Sequence, residues 1–403
     1  MKTKKLILMA DGNPGIGAGH LSRCLTIGKA AKKRGIDPLI ILSDMVSLEY
    51  LTRLSGGEEL YTRIISRDDF LRAASADLNY SFGPTGTGLF QGRSARKEPA
   101  GRSDEPDEKA FPEGIISAAE SAVLVDSYEV SAEFFEKLLS AGFQRVAWID
   151  DLHEVVYPGV LIIDYDKDPG LAPVREGFAE HPYEVRTDWD QADPGAWETS
   201  LLEETGKEAE ASAATEDAGK RAPGRQTASR PRILFSSGSG DPMGLFELLS
   251  RWAREILPEA EICALKGIRP SDMPSFLAGF DVGIFAAGGS LYEAAALGLP
   301  LLSFSFADNQ VAGAKAMEAA GIRYLGDCRE DAEGHPAKKQ DSAAAARPES
   351  GERLAEGFWH RALKEAARLL EDPEARQRIS ERERSVIDGR GAERILDLLA
   401  RAC

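Results

Sequence analysis

A histidine closes a glycine-rich loop, Asp11-Gly12-Asn13-Pro14-Gly15-Ile16-Gly17-Ala18-Gly19-His20, which follows the apolar run Leu6–Ala10. Glycines at 15, 17 and 19 alternate, so the backbone can turn sharply and approach a ligand. A helix expected over Leu21–Arg34 aims its unpaired N–H groups at the same place, where an anion is welcome. Imidazole titrates near neutrality, and a helix N-terminus favours its neutral, proton-accepting form. Asp11 lies inside the loop and is the acid best placed to assist. Two other readings stay open: His20 as a helix cap, and a dinucleotide fingerprint with Asp44 as its distant acid. The fingerprint fits poorly, because His20 stands where its third glycine belongs.

A second junction has the same logic. The run Val282–Phe285 leads through Ala286-Ala287-Gly288-Gly289-Ser290 into Leu291-Tyr292-Glu293-Ala294. Gly288 and Gly289 would expose backbone N–H groups, Ser290 adds a hydroxyl, and Glu293 offers a carboxylate suited to a ribose diol. This is a way of holding a nucleoside diphosphate. The competing reading is a capping box, with Ser290 as N-cap and Glu293 returning a hydrogen bond. Ser237 and Gly238, in the turn Ser236-Ser237-Gly238-Ser239-Gly240-Asp241-Pro242, end another strand and belong beside Gly288 if the sheet is parallel, or they form a plain flexible loop. Asp308, Asn309 and Gln310 follow a further strand and suit sugar hydroxyls or N-acetyl groups, or else cap a helix. Asp126 with Tyr128, and Asp150 with Asp151, mark two more strand ends within reach of His20, with helix capping again the alternative.

These residues need a scaffold that gathers strand ends. Short apolar runs alternate with amphipathic stretches: Leu6–Ala10, Leu39–Leu42, Ala122–Asp126, Val146–Ile149 and Val160–Ile163, then Arg232–Ser236, Ile262–Leu265, Val282–Phe285 and Pro300–Phe304, with helices between. Such alternation predicts parallel sheets with crossover helices, hence two doubly wound lobes. The expected division is a catalytic Rossmann-like domain over 1–202, a linker over 203–231, a nucleotide-binding Rossmann-like domain over 232–385 and a C-terminal helix over 386–403. Stretches 79–112, 203–231 and 330–351 are rich in Gly, Pro, Ser, Ala and mixed charge, and read as two insertions flanking the connector.

The 403 residues suffice for two cores, and a net charge of −17 argues against nucleic acid or an anionic membrane as partner. Four cysteines, Cys24, Cys263, Cys328 and Cys403, form no C-x-x-C pair, which points away from zinc and suits the cytoplasm. Leu6–Ala10 is too short for a signal or a membrane span. The expectation is a protein with no metal and no cofactor, working on a small molecule as a monomer or weak oligomer.

Taken in order, Gly17-Ala18-Gly19-His20-Leu21-Ser22-Arg23-Cys24, Val125-Asp126-Ser127-Tyr128, Ile149-Asp150-Asp151, Ala287-Gly288-Gly289-Ser290-Leu291-Tyr292-Glu293, Ala307-Asp308-Asn309-Gln310 and Asp388-Gly389-Arg390-Gly391 resemble the UDP-2,4-diacetamido-2,4,6-trideoxy-β-L-altropyranose hydrolase family, which makes a pseudaminic acid precursor. The resemblance implies a GT-B-like fold, with two Rossmann-like doubly wound parallel-sheet domains facing across a cleft. It implies His20 as the base that activates water for inverting attack at the anomeric carbon, with Asp11 and Tyr128 near that water. Gly288, Gly289 and Ser290 would hold the diphosphate of UDP, Glu293 the ribose, and Asn309 and Gln310 the sugar. Gly17, Gly19, Arg23, Ser237, Gly238 and Asp308 complete the implied substrate-binding set. Asp164-Tyr165-Asp166 departs from the family's strand end at the sugar pocket, and the turn at Ser237 carries an extra residue.

Overall fold

The computed structural model describes residues 3–13, 18–55, 61–64, 66–75, 116–150, 157–181, 183–186, 230–238, 241, 244–268, 271–329 and 348–401. Gly17, Asp151, Ser239, Gly240 and Pro242 lie outside them, as do nearly all residues of the three low-complexity stretches. Every strand pairing among the described residues is parallel. The two parallel-sheet α/β units that a GT-B-like fold class requires are both present.

The first unit takes Met1–Gly177 together with Ile387–Cys403. Its strands are β1 (Lys5–Ala10), β2 (Asp37–Leu42), β3 (Tyr61–Ile64), β4 (Ser121–Asp126), β5 (Arg145–Ile149) and β6 (Leu161–Ile163), in spatial order β3-β2-β1-β4-β5-β6. Helices α1 (Gly19–Lys33), α2 (Met45–Ser55), α3 (Arg67–Ser75) and α4 (Ala132–Ser140) make the crossovers. β4 is buried along its whole length, as a parallel strand covered on both faces must be. Ile7, Met9, Val123, Val125 and Trp148 pack with Phe135 and Phe143 into one core. Ser131 caps α4, its hydroxyl accepting from Phe134 N at 3.3 Å.

The second unit, Phe178–Val386, contains β7 (Arg232–Ser236), α5 (Leu245–Ile256), β8 (Glu261–Ala264), α6 (Met273–Leu277), β9 (Val282–Ala286), α7 (Gly289–Leu297), β10 (Leu301–Ser305), α8 (Asp308–Ala316), β11 (Arg323–Asp327), α9 (Pro348–Glu371) and α10 (Pro373–Val386). Its strand order is β11-β10-β9-β7-β8. Leu245, Leu249, Trp252 and Ala253 form the buried stripe of α5, and Trp359 of α9 packs edge-on against Phe235 and Phe304. Asp281, fully buried before β9, accepts from Arg186 Nε at 3.0 Å and Nη2 at 2.6 Å and lies 3.7 Å from the buried Arg376. Glu383 of α10 is also fully buried and accepts from Leu301 N at 3.1 Å.

The chain then returns to the first unit as α11 (Gly391–Arg401), which packs on α1 and β5. The motif Asp388-Gly389-Arg390-Gly391 makes that return. Asp388 clamps Arg394 through two bonds of 2.6 Å, and Arg394 also donates to Gly170 O at 2.9 Å. A Cβ on Gly391 would stand 2.0 Å from Ala172 O, so only glycine permits the approach.

Candidate active site

Each sheet reverses its direction of growth once. In the first unit the chain runs from β1 out through β2 and β3, then returns to β4 on the other side of β1. In the second it runs from β7 to β8, then returns to β9. Loops leaving the carboxyl ends of strands at such a reversal part from one another and leave room for a ligand. Both glycine junctions read from the sequence are loops at these two points.

In the first unit the register Ala10↔Asp126 sets the ends of β1 and β4 side by side. Helix α1 begins at Gly19 with Ala18 as an N-cap that supplies no side-chain bond. His20 therefore sits inside the first turn and caps nothing. The residue is 3% exposed, with Nδ1 3.9 Å from Asp126 Oδ1. The ring meets that of Tyr128 edge to face, centroids 4.5 Å apart at 77°. Asp126 accepts from Arg23 Nε at 2.8 Å and Nη2 at 2.7 Å, a two-pronged pair, and Arg23 also donates to the Tyr165 hydroxyl. Tyr165, part of the departure from the family pattern, is thus tied to the same cluster.

Asp11 is buried and engaged at both oxygens. Ser43 Oγ donates to Oδ1 at 2.5 Å, while Ser127 Oγ, at 2.6 Å, and Arg67 Nη2 reach Oδ2. It pins the ends of β1, β2 and β4 to the start of α3. Gly12 is fixed by Ser47, whose hydroxyl accepts from Gly12 N at 3.0 Å. Asp44 accepts from Ser47 N at 2.7 Å and so caps α2, which removes the acid needed for a dinucleotide fingerprint. Asp150 is buried at the end of β5. Burial, followed by the Asp126 charge, pushes the Cys24 thiol well above its ordinary range, which makes it an inert core residue.

In the second unit the register Ser236↔Phe285 places the ends of β7 and β9 together. The N-cap of α7 is Gly288, extended at φ −142° and without a side-chain cap. Ser290 lies in the first turn, so no capping box forms. Its hydroxyl is 3.4 Å from that of Ser236, and Glu293 is buried one turn on. Among the described residues, a Cβ added to Gly19, Gly288 or Gly289 would meet nothing within 4 Å. Nothing among the described residues thus crowds the first turn of either α1 or α7.

The neighbouring turn behaves differently. Asp241 adopts a left-handed conformation, φ 46°, and its two carboxylate oxygens accept from Leu245 N and Phe246 N, each at 2.9 Å. The N-terminus of α5 is therefore already filled by a carboxylate, and Ser237 donates to the same Asp241 at 2.8 Å. Gly238, at φ 93°, turns the chain there. At the third strand end Gln310 Oε1 accepts from Phe306 N at 3.0 Å. Asp308 is almost fully exposed and pairs with Arg329 Nη2 at 2.6 Å, while Asn309 is exposed at the start of α8. Arg67 joined the first cluster without any local sequence signal, since it reaches Asp11 from 56 residues away, whereas Ser127 sits inside the motif that carries Asp126 and Tyr128 and Tyr165 inside the one that departs from the family pattern.

Among the described residues no group of three or more His, Cys, Asp and Glu side chains could hold a metal ion, and no helix is long and apolar enough to cross a membrane. No family model matches the chain, and no curated protein matches it. Among solved structures it is similar to MurG of Acinetobacter baumannii, at 14% identity over 98% of this chain and 99% of that one, TM-score 0.44. It is similar also to the spinosyn rhamnosyltransferase SpnG, at 15% identity over 98% and 100%, TM-score 0.46. A third is the UDP-GlcNAc 2-epimerase of Neisseria meningitidis bound to UDP-GlcNAc, at 11% identity over 98% and 99%, TM-score 0.43. Likeness at this level leaves the chemistry to be argued from the side chains.

Proposed function

We propose that this chain hydrolyses a UDP-linked diacetamido-trideoxy sugar to free sugar and UDP, with inversion and without a metal, in nonulosonic acid biosynthesis. The observation that carries the reading is the pair of open helix N-termini, each at the reversal point of its sheet, one presenting a buried imidazole beside a carboxylate and the other presenting backbone N–H groups and serine hydroxyls. In the second unit Gly288, Gly289 and Ser290 hold the diphosphate, where aligned N–H groups and the helix dipole favour negative charge. Glu293 binds the ribose diol. Asn309 and the amide nitrogen of Gln310 take sugar substituents, with Asp308, Ser237 and Gly238 flanking them. In the first unit His20 accepts a proton from water as its oxygen bonds to the anomeric carbon, and the bond to the diphosphate breaks with its electron pair leaving on UDP. Tyr128 fixes the ring edge-on, and Gly19 leaves the first turn of α1 uncrowded among the described residues. Asp11, its oxygens already engaged, shapes the floor of the loop.

The test is UDP release, followed by NMR, from a panel of UDP-sugars with no acceptor and with EDTA present. Rapid formation of free sugar from the 2,4-diacetamido donor, abolished in His20→Ala while UDP still binds, is the expected result. A fully active His20→Ala protein would overturn the mechanism, and activity lost in EDTA and restored by a divalent ion would overturn the metal-free step. A second reading, transfer of the sugar to an acceptor, draws support from Met45 and Val46, 52% and 43% exposed at the start of α2 beside the Gly12 loop. Release of UDP only when an acceptor is supplied would favour it.

A further inference from the structure

We propose that Arg23 and Asp126 are a positioning pair that sets the proton affinity and orientation of His20, and this rests on the reading of His20 as the base. The pair is built across the fold: Arg23 lies on α1 three residues after His20, and Asp126 ends β4. Asp126 faces Nδ1 at 3.9 Å, beyond hydrogen-bond range, so the coupling is electrostatic. That side of the ring faces a negative charge, which favours a proton on Nδ1 and leaves Nε2 as the accepting nitrogen. The same charge stabilises the imidazolium formed when water is deprotonated. Arg23 tempers it, because its guanidinium neutralises Asp126 through two short bonds while Tyr165 holds the guanidinium from the other side.

The groups around the imidazole bear this out. Asp126, at the end of β4, and Tyr128, in the loop after it, face the ring; Arg23 of α1 and Tyr165 beyond β6 reach it through Asp126, and Asp11 at the end of β1 acts on the neighbouring Cys24. Asp11 is balanced by Arg67, and the Cys24 thiol is held protonated by burial. The partial positive charge at the start of α1 opposes protonation of the ring. Among the described residues Asp126 is therefore the charge that can raise the proton affinity of His20, and Arg23 the one that limits the rise.

The two members must act in opposite directions, which a role in folding alone does not produce. His20 resonances, identified by their absence in His20→Gln, are titrated by NMR in the ligand-free protein. Asp126→Asn keeps the shape and removes the charge, and should lower the His20 midpoint by about one unit or more. Arg23→Gln should raise it, and Arg23→Lys should return it toward the wild-type value. If Asp126→Asn does not fold, Arg23→Gln reads the same coupling from its other end. The acid limb of kcat against pH should follow the NMR midpoint in each variant. Unchanged midpoints in both charge variants overturn the pair whatever the activity. Midpoints that move as stated in a protein whose UDP release ignores His20→Ala uphold the pair and overturn the base.

Discussion

Two glycines bracket α7, and replacing each by alanine should separate binding from folding. Gly288 precedes the helix in an extended conformation, φ −142° and ψ −173°, open to any residue, and among the described residues an added Cβ meets nothing within 4 Å. Alanine is a poorer N-cap than glycine, by about 0.5 to 1 kcal/mol, but it stiffens the unfolded chain by about 0.4 to 1 kcal/mol. The two terms nearly cancel, so Gly288→Ala should leave stability within about 0.5 kcal/mol. Gly298 follows the helix at φ 89°, and a Cβ there would lie 2.6 Å from Ser380 Oγ and 2.8 Å from Arg384 Cδ. The left-handed backbone costs alanine about 1 kcal/mol and the forced contacts about 1 to 3 more, so Gly298→Ala should lose about 2 to 4 kcal/mol. Urea unfolding followed by circular dichroism measures both, and calorimetry measures UDP affinity. Gly288→Ala should weaken UDP by about tenfold or more, because its methyl group occupies the space through which a phosphate approaches the N–H groups. Gly298→Ala, while folded, should bind normally. Wild-type UDP affinity in Gly288→Ala would refute the phosphate site, and a large loss of its stability would show that the glycine serves packing.

Three further outcomes test the scaffold. Burial raises the Glu383 carboxyl well above its ordinary 4.5, so its native state holds a proton that the unfolded chain gives up; the stability tied to it is full below about pH 4.5 and declines as pH rises toward the native value. Glu383→Gln should remove that decline, and the melting-temperature difference from wild type should grow with pH; a difference constant with pH would refute the assignment. Asp241→Ala loses both cap bonds of α5 and should cost about 1 to 2 kcal/mol in urea unfolding, while a neutral substitution would mean the cap is redundant. Asp281→Asn leaves Arg186 and the buried Arg376 without a compensating charge and should destabilise by about 3 to 5 kcal/mol, read from the same unfolding curves.

Interior strands were legible because a parallel strand covered on both faces needs a continuous apolar run. Ala122–Asp126 and Val282–Phe285 are such runs, and the structure extends each by one residue. Two of the four edge strands, β3 and β11, were not, since Tyr61-Thr62-Arg63-Ile64 and Arg323-Tyr324-Leu325-Gly326-Asp327 mix polar with apolar residues, whereas the edge strands β6 and β8 keep a short apolar run. At both glycine junctions the helix starts two residues earlier than the apolar periodicity suggests, at Gly19 and Gly289, because periodicity marks only where a helix begins to pack. That shift moves His20 and Ser290 into first turns and removes their capping roles. The couplings of Arg67 to Asp11 and of Arg23 to Asp126 depend on which strand ends become neighbours, information that no local window contains.

The docking of α11 on α1 bears on the order in which the protein can be made. The closing segment of the first unit emerges from the ribosome only after all of Phe178–Val386 has been synthesised. The nascent first sheet must therefore wait, with the α1 surface that α11 will cover still wet, while the second unit assembles as a self-contained insertion. Vectorial synthesis thus favours completion of the second unit before the first, whose last helix is laid over α1 only at the end.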